Sequence, residues 1–203
     1  MTNSIYKMMT VKKVIIFLSI ILSVFLLSIY LAKGTEKQVQ SASCTYLVET
    51  VSQPAGNNFH KVSDSLYRSA QPEKENLRAY EAFGICTIIN LRGIHSDRKK
   101  VFETNLKLIE IPMHTWIAAN DANIIRALQA IRDAKKPVLV HCMHGADRTG
   151  LIIAMYRIVE QGWTKQEALT EMRDGGFGYH SIWKNIPAYI EQVDVEAIRK
   201  ALH

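Results

Sequence analysis

The sequence predicts an α/β domain that follows one N-terminal membrane-spanning helix. Three observations predict this arrangement: a long uncharged run near the N-terminus, a polar stretch behind it, and short apolar runs alternating with amphipathic stretches from His60 onward. Strands that alternate with helices are typical of α/β folds, whose ligand sites lie beyond the carboxyl ends of the strands. We therefore divide the 203 residues into a cytoplasmic N-terminus (1–13), a transmembrane helix or signal anchor (14–32), a linker (33–58) and one domain (59–203).

The run from Val14 to Ala32 contains no charged residue and is rich in Ile, Leu, Val and Phe. A helix of about 20 such residues spans the hydrocarbon core of a bilayer. More lysines precede the run than follow it closely, which favours a cytoplasmic N-terminus. We expect a single-pass, membrane-anchored protein whose domain is periplasmic or otherwise extracytoplasmic. A cleaved signal peptide is the alternative, but its apolar core would be shorter, and no small-x-small cleavage site directly follows Ala32.

Within the domain, the predicted elements follow the apolar pattern. Strands are predicted at 65–69, 86–91, 108–111 and 137–141, and helices at 71–83, 96–105, 121–134, 148–159, 164–173 and about 186–202. The β-branched run at 86–91 is typical of a strand, and the apolar residues of 121–134 recur at helical spacing. The third strand is expected to stop at Pro112, because proline has no N–H group to donate.

Charge and cysteine content limit the function classes. The formal charge of +6 is spread over the chain, with no run of Lys or Arg longer than a pair. This argues against nucleic-acid binding, whereas a diffuse positive field attracts phosphorylated ligands. Three widely spaced cysteines indicate neither a disulfide framework nor a zinc site, and the chemistry inferred below requires no metal. Whether Cys44 and Cys86 pair is left open.

The stretch from His141 to Gly150 joins an apolar strand directly to a helix. A tight loop at such a junction directs successive N–H groups into one concavity at the positive end of the helix, which suits a phosphate. The same field favours the thiolate form of Cys142. Glycine within the loop permits the backbone angles that the loop requires. The predicted phosphate-binding residues are Met143, His144, Gly145, Ala146, Asp147 and Arg148.

The chemistry follows from three side chains. Cys142 attacks phosphorus to give a phosphocysteine, which water then hydrolyses. Arg148, six residues later, can hold two phosphate oxygens with its planar fork and cannot lose its proton. Thr149 offers a hydroxyl to the sulfur. The loop amides and the guanidinium together stabilise the charge of the transferring phosphoryl group.

The spacing Cys142-x5-Arg148-Thr149 after a Val-rich strand resembles the cysteine-dependent protein tyrosine phosphatases, specifically the bacterial members of their dual-specificity branch. Further similarity to this branch lies at 66–72, 89–92, 162–165 and 175–178. The resemblance implies a central mixed sheet flanked by helices and no cofactor. It also implies a phosphorylated protein substrate, phosphotyrosine before phosphoserine or phosphothreonine, or else a small phosphate ester. Some bacterial relatives are exported, which agrees with the anchor.

One part of the family pattern is missing. The family usually places an aspartate on a mobile loop before the cysteine, where it protonates the leaving oxygen. The corresponding window, 110–116, contains no aspartate. We predict Asp121 as the general acid, although Asn120 or Asp121 could instead cap the following helix. Glu110, His114 and Asp147 are the alternatives.

Two other function classes are considered. A rhodanese-like sulfurtransferase also uses a loop cysteine, but its loop normally lacks an arginine at the sixth position after that cysteine. A non-catalytic phosphate-binding module would have no need to keep both Cys142 and Arg148. Two further arginines, Arg68 and Arg92, end predicted strands, and each could face the phosphate or serve as a structural hydrogen-bond donor.

Overall fold

The structure, a computed structural model, describes residues 57–117 and 119–203. The N-terminal segment, the transmembrane helix at 14–32 and nearly all of the linker lie outside these residues, so those assignments stay predictions. Across the described residues, no helix has both the length and the apolar character needed to cross a membrane.

The sheet has five strands, in the spatial order β1-β2-β5-β3-β4. They are β1 His60–Ser63, β2 Leu66–Ser69, β3 Thr87–Arg92, β4 Lys107–Met113 and β5 Val138–His141. The β1–β2 pair is antiparallel and the other three pairs are parallel, so the prediction of a mixed sheet is confirmed. The central strand β5 is buried along its whole length, as expected for a parallel strand covered on both faces.

Helices cover both faces of the sheet. They are α1 Lys74–Phe83, α2 Arg98–Val101, α3 Asp121–Asp133, α4 Asp147–Gln161, α5 Lys165–Asp174, α6 Asn185–Gln192 and α7 Val195–Ala201. Alternate side chains of β5 enter different apolar clusters, because successive strand residues point to opposite faces. Val138 and Val140 pack with α3 to α7, whereas Leu139 packs with α1. The prediction of an α/β fold with flanking helices is confirmed.

Helix α4 fixes the position of the predicted phosphate loop. Its N-terminal half is buried from Thr149 through Met155, so it is a core helix and not a surface helix. It ends at Gly162, which adopts the left-handed conformation (φ 73°) common at helix C-termini. Because β5 and α4 are both buried, the loop between them is held at two rigid ends.

Two predicted boundaries are wrong. The helix predicted over 96–105 is the single turn α2, which has no buried residue and therefore little packing to support a longer helix. The strand predicted to stop at Pro112 continues to Met113. Since β4 is an edge strand, proline's missing N–H removes no ladder hydrogen bond on its open side.

The C-terminal region also differs from the prediction. The single helix predicted over about 186–202 is two helices, α6 and α7. Asp194 separates them, and its side chain accepts hydrogen bonds from the N–H groups of Glu196 and Ala197. A capping aspartate of this kind begins a new helix. Strand β1 was not predicted from the sequence.

Candidate active site

The predicted phosphate loop lies at the carboxyl end of the central strand. Cys142 directly follows β5 and is only 1% exposed, and its thiol is free. Asp147 is the first residue of α4. The structure thus places the motif at the sheet edge where α/β proteins bind ligands.

Three consecutive carbonyl groups of this loop accept hydrogen bonds from outside it. The pairs are Gln71 N to Met143 O (3.0 Å), Asn58 Nδ2 to His144 O (2.9 Å) and Arg68 Nη2 to Gly145 O (2.7 Å). In a planar trans peptide, the N–H group points opposite to the carbonyl. The amides of His144, Gly145 and Ala146 therefore face the inner side of the loop, an arrangement that binds anions.

Gly145 is the loop residue that only glycine can occupy without strain. Its φ is +70°, and an added Cβ would lie 2.5 Å from the carbonyl oxygen of Ser69. Glycine tolerates this left-handed conformation and the close approach of β2 at no steric cost.

Arg148 lies beside the end of β4. Its Nη1 donates to the carbonyl of Met113 at 3.3 Å, and its buried Nε has no hydrogen-bond partner among the described residues. Buried polar atoms are rarely left without a partner. One long hydrogen bond thus holds the guanidinium, and its Nε–H can still donate to an anion. The role of Arg148 as a phosphate clamp stays a prediction.

Thr149 follows Arg148 in the first turn of α4. Its Oγ1 is buried and makes no hydrogen bond to any group in the described part of the chain. A hydroxyl in this state can rotate toward a nearby acceptor. The predicted hydrogen bond from Thr149 to the sulfur of Cys142 stays a prediction.

His141 and Asp97 form a buried pair behind the loop. Nε2 of His141 lies 2.9 Å from Oδ2 of Asp97, and neither side chain is exposed. The other ring nitrogen lies 3.2 Å from the carbonyl oxygen of Cys142. Burial alone would raise the pKa of Asp97, but the contacts with His141 and Gln71 outweigh it and hold that pKa below its usual range. His141 thus supports the loop from behind.

Arg68 supports the loop and does not lie free in the site. Besides its bond to the loop, its guanidinium lies over the ring of Phe177 at 3.8 Å. Burial lowers the pKa of Arg68 to about 10, so the group keeps its proton at neutral pH, with its charge close enough to interact with Cys142. Arg92 donates to Gln71 Oε1 at 2.9 Å. In the described contacts, both arginines act as hydrogen-bond donors to the protein.

Each carboxylate considered as a general acid has a hydrogen-bond or ion-pair partner in the structure. Asp121, at the start of α3, accepts a hydrogen bond from Tyr189 at 2.8 Å, and no described hydrogen bond joins it to the phosphate loop. Burial, followed by the contact with this carboxylate, raises the pKa of Tyr189. Asn120, not Asp121, caps the helix.

The three alternative general acids also contact other residues. Glu110 pairs with Arg98 at 3.1 Å. Asp147 is buried and accepts from both the backbone and the ring of His180. The ring of His114 lies directly against Gly93 and near Trp116. Asp121 is the one of these carboxylates that is exposed and has no ion-pair partner among the described residues.

Comparison with known proteins decides the family. The model of a family described as "Tyrosine phosphatase family" matches residues 55–202, which is most of the chain. The chain belongs to the tyrosine phosphatase family.

One of two similar curated proteins is named a dual specificity phosphatase, and the other an inositol diphosphatase. The chain is 36% identical over 147 residues to the dual specificity protein phosphatase TpbA of Pseudomonas aeruginosa, an alignment that covers 71% of this chain and 66% of TpbA, just under two thirds of its length. It is 29% identical over 161 residues to the inositol diphosphatase DSP5 of Arabidopsis thaliana, covering 72% of this chain and 74% of DSP5.

The fold matches solved structures of the family. A crystal structure of P. aeruginosa TpbA superposes with a TM-score of 0.67 at 33% identity, covering 81% of this chain and 99% of that one. A Cys-to-Ser variant of TpbA in complex with pTyr gives a TM-score of 0.67 at 32% identity, with 81% and 98% coverage.

Several residues that shape this tyrosine phosphatase site were missed in the sequence. Asp97 stands in a charged stretch that reads as an exposed helix, and no local signal marks it as buried. Asn58 falls at the end of the predicted linker, yet it donates both to the phosphate loop and to the carbonyl of Phe177. His180 lies just after the 175–178 stretch that carries part of the family resemblance, which is the one signal that pointed to its surroundings.

Proposed function

We propose that the chain is a protein phosphatase that hydrolyses phosphotyrosine, and secondarily phosphoserine or phosphothreonine, through a phosphocysteine intermediate. One observation carries the proposal: a buried, free Cys142 at the base of a loop whose amides point inward, in a member of the tyrosine phosphatase family. The resemblance to TpbA, which has been crystallised with pTyr, supports the choice of substrate. Family membership weighs against the sulfurtransferase alternative.

The proposed mechanism uses the geometry directly. The thiolate of Cys142 attacks phosphorus in line, so that an S–P bond forms while the bond from phosphorus to the leaving oxygen breaks. The inward amides and Arg148 hold the equatorial oxygens. Water then attacks phosphorus, the S–P bond breaks, and inorganic phosphate leaves. Thr149 donates its hydroxyl proton toward the departing sulfur as a hydrogen bond.

The loop side chains favour an aryl phosphate over a highly phosphorylated ligand. Residues 143–147 include no Lys or Arg, so Arg148 is the one basic side chain from the loop beyond its histidine. Multiply phosphorylated rings require several cations for recognition. Trp116, on the segment that leaves β4 beside Arg148, is 64% exposed and offers an aromatic surface to a tyrosyl ring.

The test compares substrates on the full-length chain, kept in detergent because of its predicted membrane span. With chelator present, we expect phosphate release from a phosphotyrosyl peptide, slower release from the matching phosphoseryl peptide, and inhibition by vanadate. Turnover of a diphosphorylated inositol with none of the phosphotyrosyl peptide would overturn the substrate proposal. Binding of the phosphotyrosyl peptide without release would identify a non-catalytic module.

We further propose Asp121 as the proton donor to the leaving oxygen. Replacing Asp121 by Asn should lower kcat for the phosphotyrosyl peptide by about 10²-fold, since general acid catalysis typically contributes that much. The loss should be much smaller for p-nitrophenyl phosphate, whose leaving group hardly needs a proton. The measurement is the kcat–pH profile on both substrates.

Tyr189→Phe is the matched control for this test. It removes the hydrogen bond to Asp121 but keeps the carboxylate, so its profile should retain the limb that Asp121→Asn loses. Equal losses on both substrates in Asp121→Asn would instead indicate a structural role for this residue.

A further inference from the structure

Three potential metal ligands meet on the outer wall of the phosphate loop. His144 and Asp147 belong to the loop, and His180 approaches from the segment between α5 and α6. One ligand atom from each lies within 4.8 Å of the other two. Spacing along the chain did not predict this cluster, because His180 is far from the loop in sequence.

Existing contacts already hold the cluster together. Nδ1 of His180 lies 2.9 Å from Oδ2 of Asp147, and the backbone N–H of His180 donates to Oδ1 at 3.0 Å. The rings of His144 and His180 are 5.0 Å apart. Asp147 is buried, whereas both imidazoles are exposed. The carboxylate is therefore fixed, the ring of His180 is already oriented by it, and the ring of His144 is exposed beside them.

The donor set has a specific chemistry. Two imidazole nitrogens and one carboxylate oxygen form a common zinc ligand set in sites that keep an open fourth position. Bonds of about 2.0–2.1 Å in tetrahedral geometry place ligand atoms about 3.4 Å apart. The present spread of up to 4.8 Å therefore requires only a small movement of these side chains around an ion. His144 and His180 also line a surface groove together with His60 and Phe177.

We infer that His144, Asp147 and His180 form a binding site for a divalent transition-metal ion, for which Zn²⁺ is the best fit. Hard cations such as Mg²⁺ and Ca²⁺ prefer all-oxygen sites and fit poorly. The bound ion links the segment after α5 to the phosphate loop. His144 and Asp147 are also predicted phosphate-binding residues, but the proposed phosphate contacts use backbone N–H groups, whereas the metal site uses side chains. The inference therefore does not depend on the proposed catalysis.

The test is metal titration of the full-length chain carrying Cys142→Ser, stripped with chelator beforehand. The serine removes the competing thiolate of the phosphate loop, and the variant tests binding without any activity. Calorimetry with Zn²⁺ should show one ion per chain. With Co²⁺, visible absorption should indicate nitrogen and oxygen ligands, without the charge-transfer band of a thiolate ligand.

Single substitutions in that background locate the site. His180→Ala and His144→Ala should each weaken Zn²⁺ binding by at least about tenfold, since even partners behind the direct ligands typically cost that much. His203→Ala, at the exposed C-terminus, is the matched control and should bind as the parent does. Thermal unfolding with and without Zn²⁺ reports folding, and a rise in Tm with the ion is expected for the parent but not for His180→Ala.

Two results would overturn the inference. One is the absence of Zn²⁺ binding in the Cys142→Ser chain. The other is unchanged affinity in both His144→Ala and His180→Ala, which would place any bound ion elsewhere. His144→Ala leaves the His180–Asp147 contact intact, so the test holds even if the other variant folds poorly.

Discussion

Replacing Cys142 by serine is expected to abolish turnover while leaving phosphate binding in place. A serine hydroxyl is almost the same size as the thiol but is a far weaker nucleophile without an adjacent base, so no phosphoenzyme forms. The inward amides and Arg148 remain, and with them the affinity for the anion. Phosphate release from the phosphotyrosyl peptide and calorimetric binding of inorganic phosphate measure the two effects separately.

Two observations accompany this prediction. Acid-quenched wild-type enzyme should yield a phosphate adduct on the peptide that contains Cys142, detected by mass spectrometry. Cys44→Ser, a cysteine substitution in the predicted linker, is the control and should keep full activity. If the Cys142→Ser chain still turned over substrate at the wild-type rate, the covalent mechanism would be refuted.

Arg148→Lys is expected to reduce kcat/KM by at least about 10²-fold. Lysine keeps the positive charge, but a point charge cannot make the two parallel hydrogen bonds of the guanidinium fork. Because the charge on the equatorial oxygens is held by this fork during transfer, the loss should appear in kcat as well as in KM. Steady-state kinetics on the phosphotyrosyl peptide separate these parameters.

An arginine outside the predicted site serves as the control for an arginine-to-lysine substitution. Arg173 lies on α5 in an exposed ion pair with Glu191, so Arg173→Lys should leave kcat/KM unchanged. If Arg148→Lys lost no more activity than Arg173→Lys, the guanidinium would not be the clamp. Its bond to the carbonyl of Met113 would then be its main role.

Local pattern was enough to predict the fold class and the strand–loop–helix junction that holds Cys142. The run Val138-Leu139-Val140 is apolar, and a helix follows within a few residues, so the strand-loop-helix junction is visible without tertiary information. The long apolar stripe of α3 was visible for the same reason. Where the buried residues are the hydrophobic ones, the sequence pattern predicted the strands and helices correctly.

Tertiary contacts decided what the sequence could not show. Asp97 is charged and stands among charged neighbours, yet it is buried because His141 and Gln71 supply its partners from distant positions. Strand β4 tolerates Pro112 only because it lies at the sheet edge, a fact of strand order. The partners of Asp121 and Asp147 likewise come from the C-terminal third of the chain. Residue spacing in the sequence does not predict these contacts.

The Asp97–His141 pair has a consequence for tolerance of acid. A carboxylate whose pKa is depressed in the folded state adds stability that is fully present above its unfolded pKa. This contribution is lost as pH falls from that value through the lower, folded pKa. Ordinary aspartates protonate near pH 3.9. During progressive acidification, Asp97 therefore takes up its proton at a lower pH than an aspartate without such contacts. The support that the Asp97–His141 pair gives to the loop should persist below the pH at which an unperturbed aspartate is protonated.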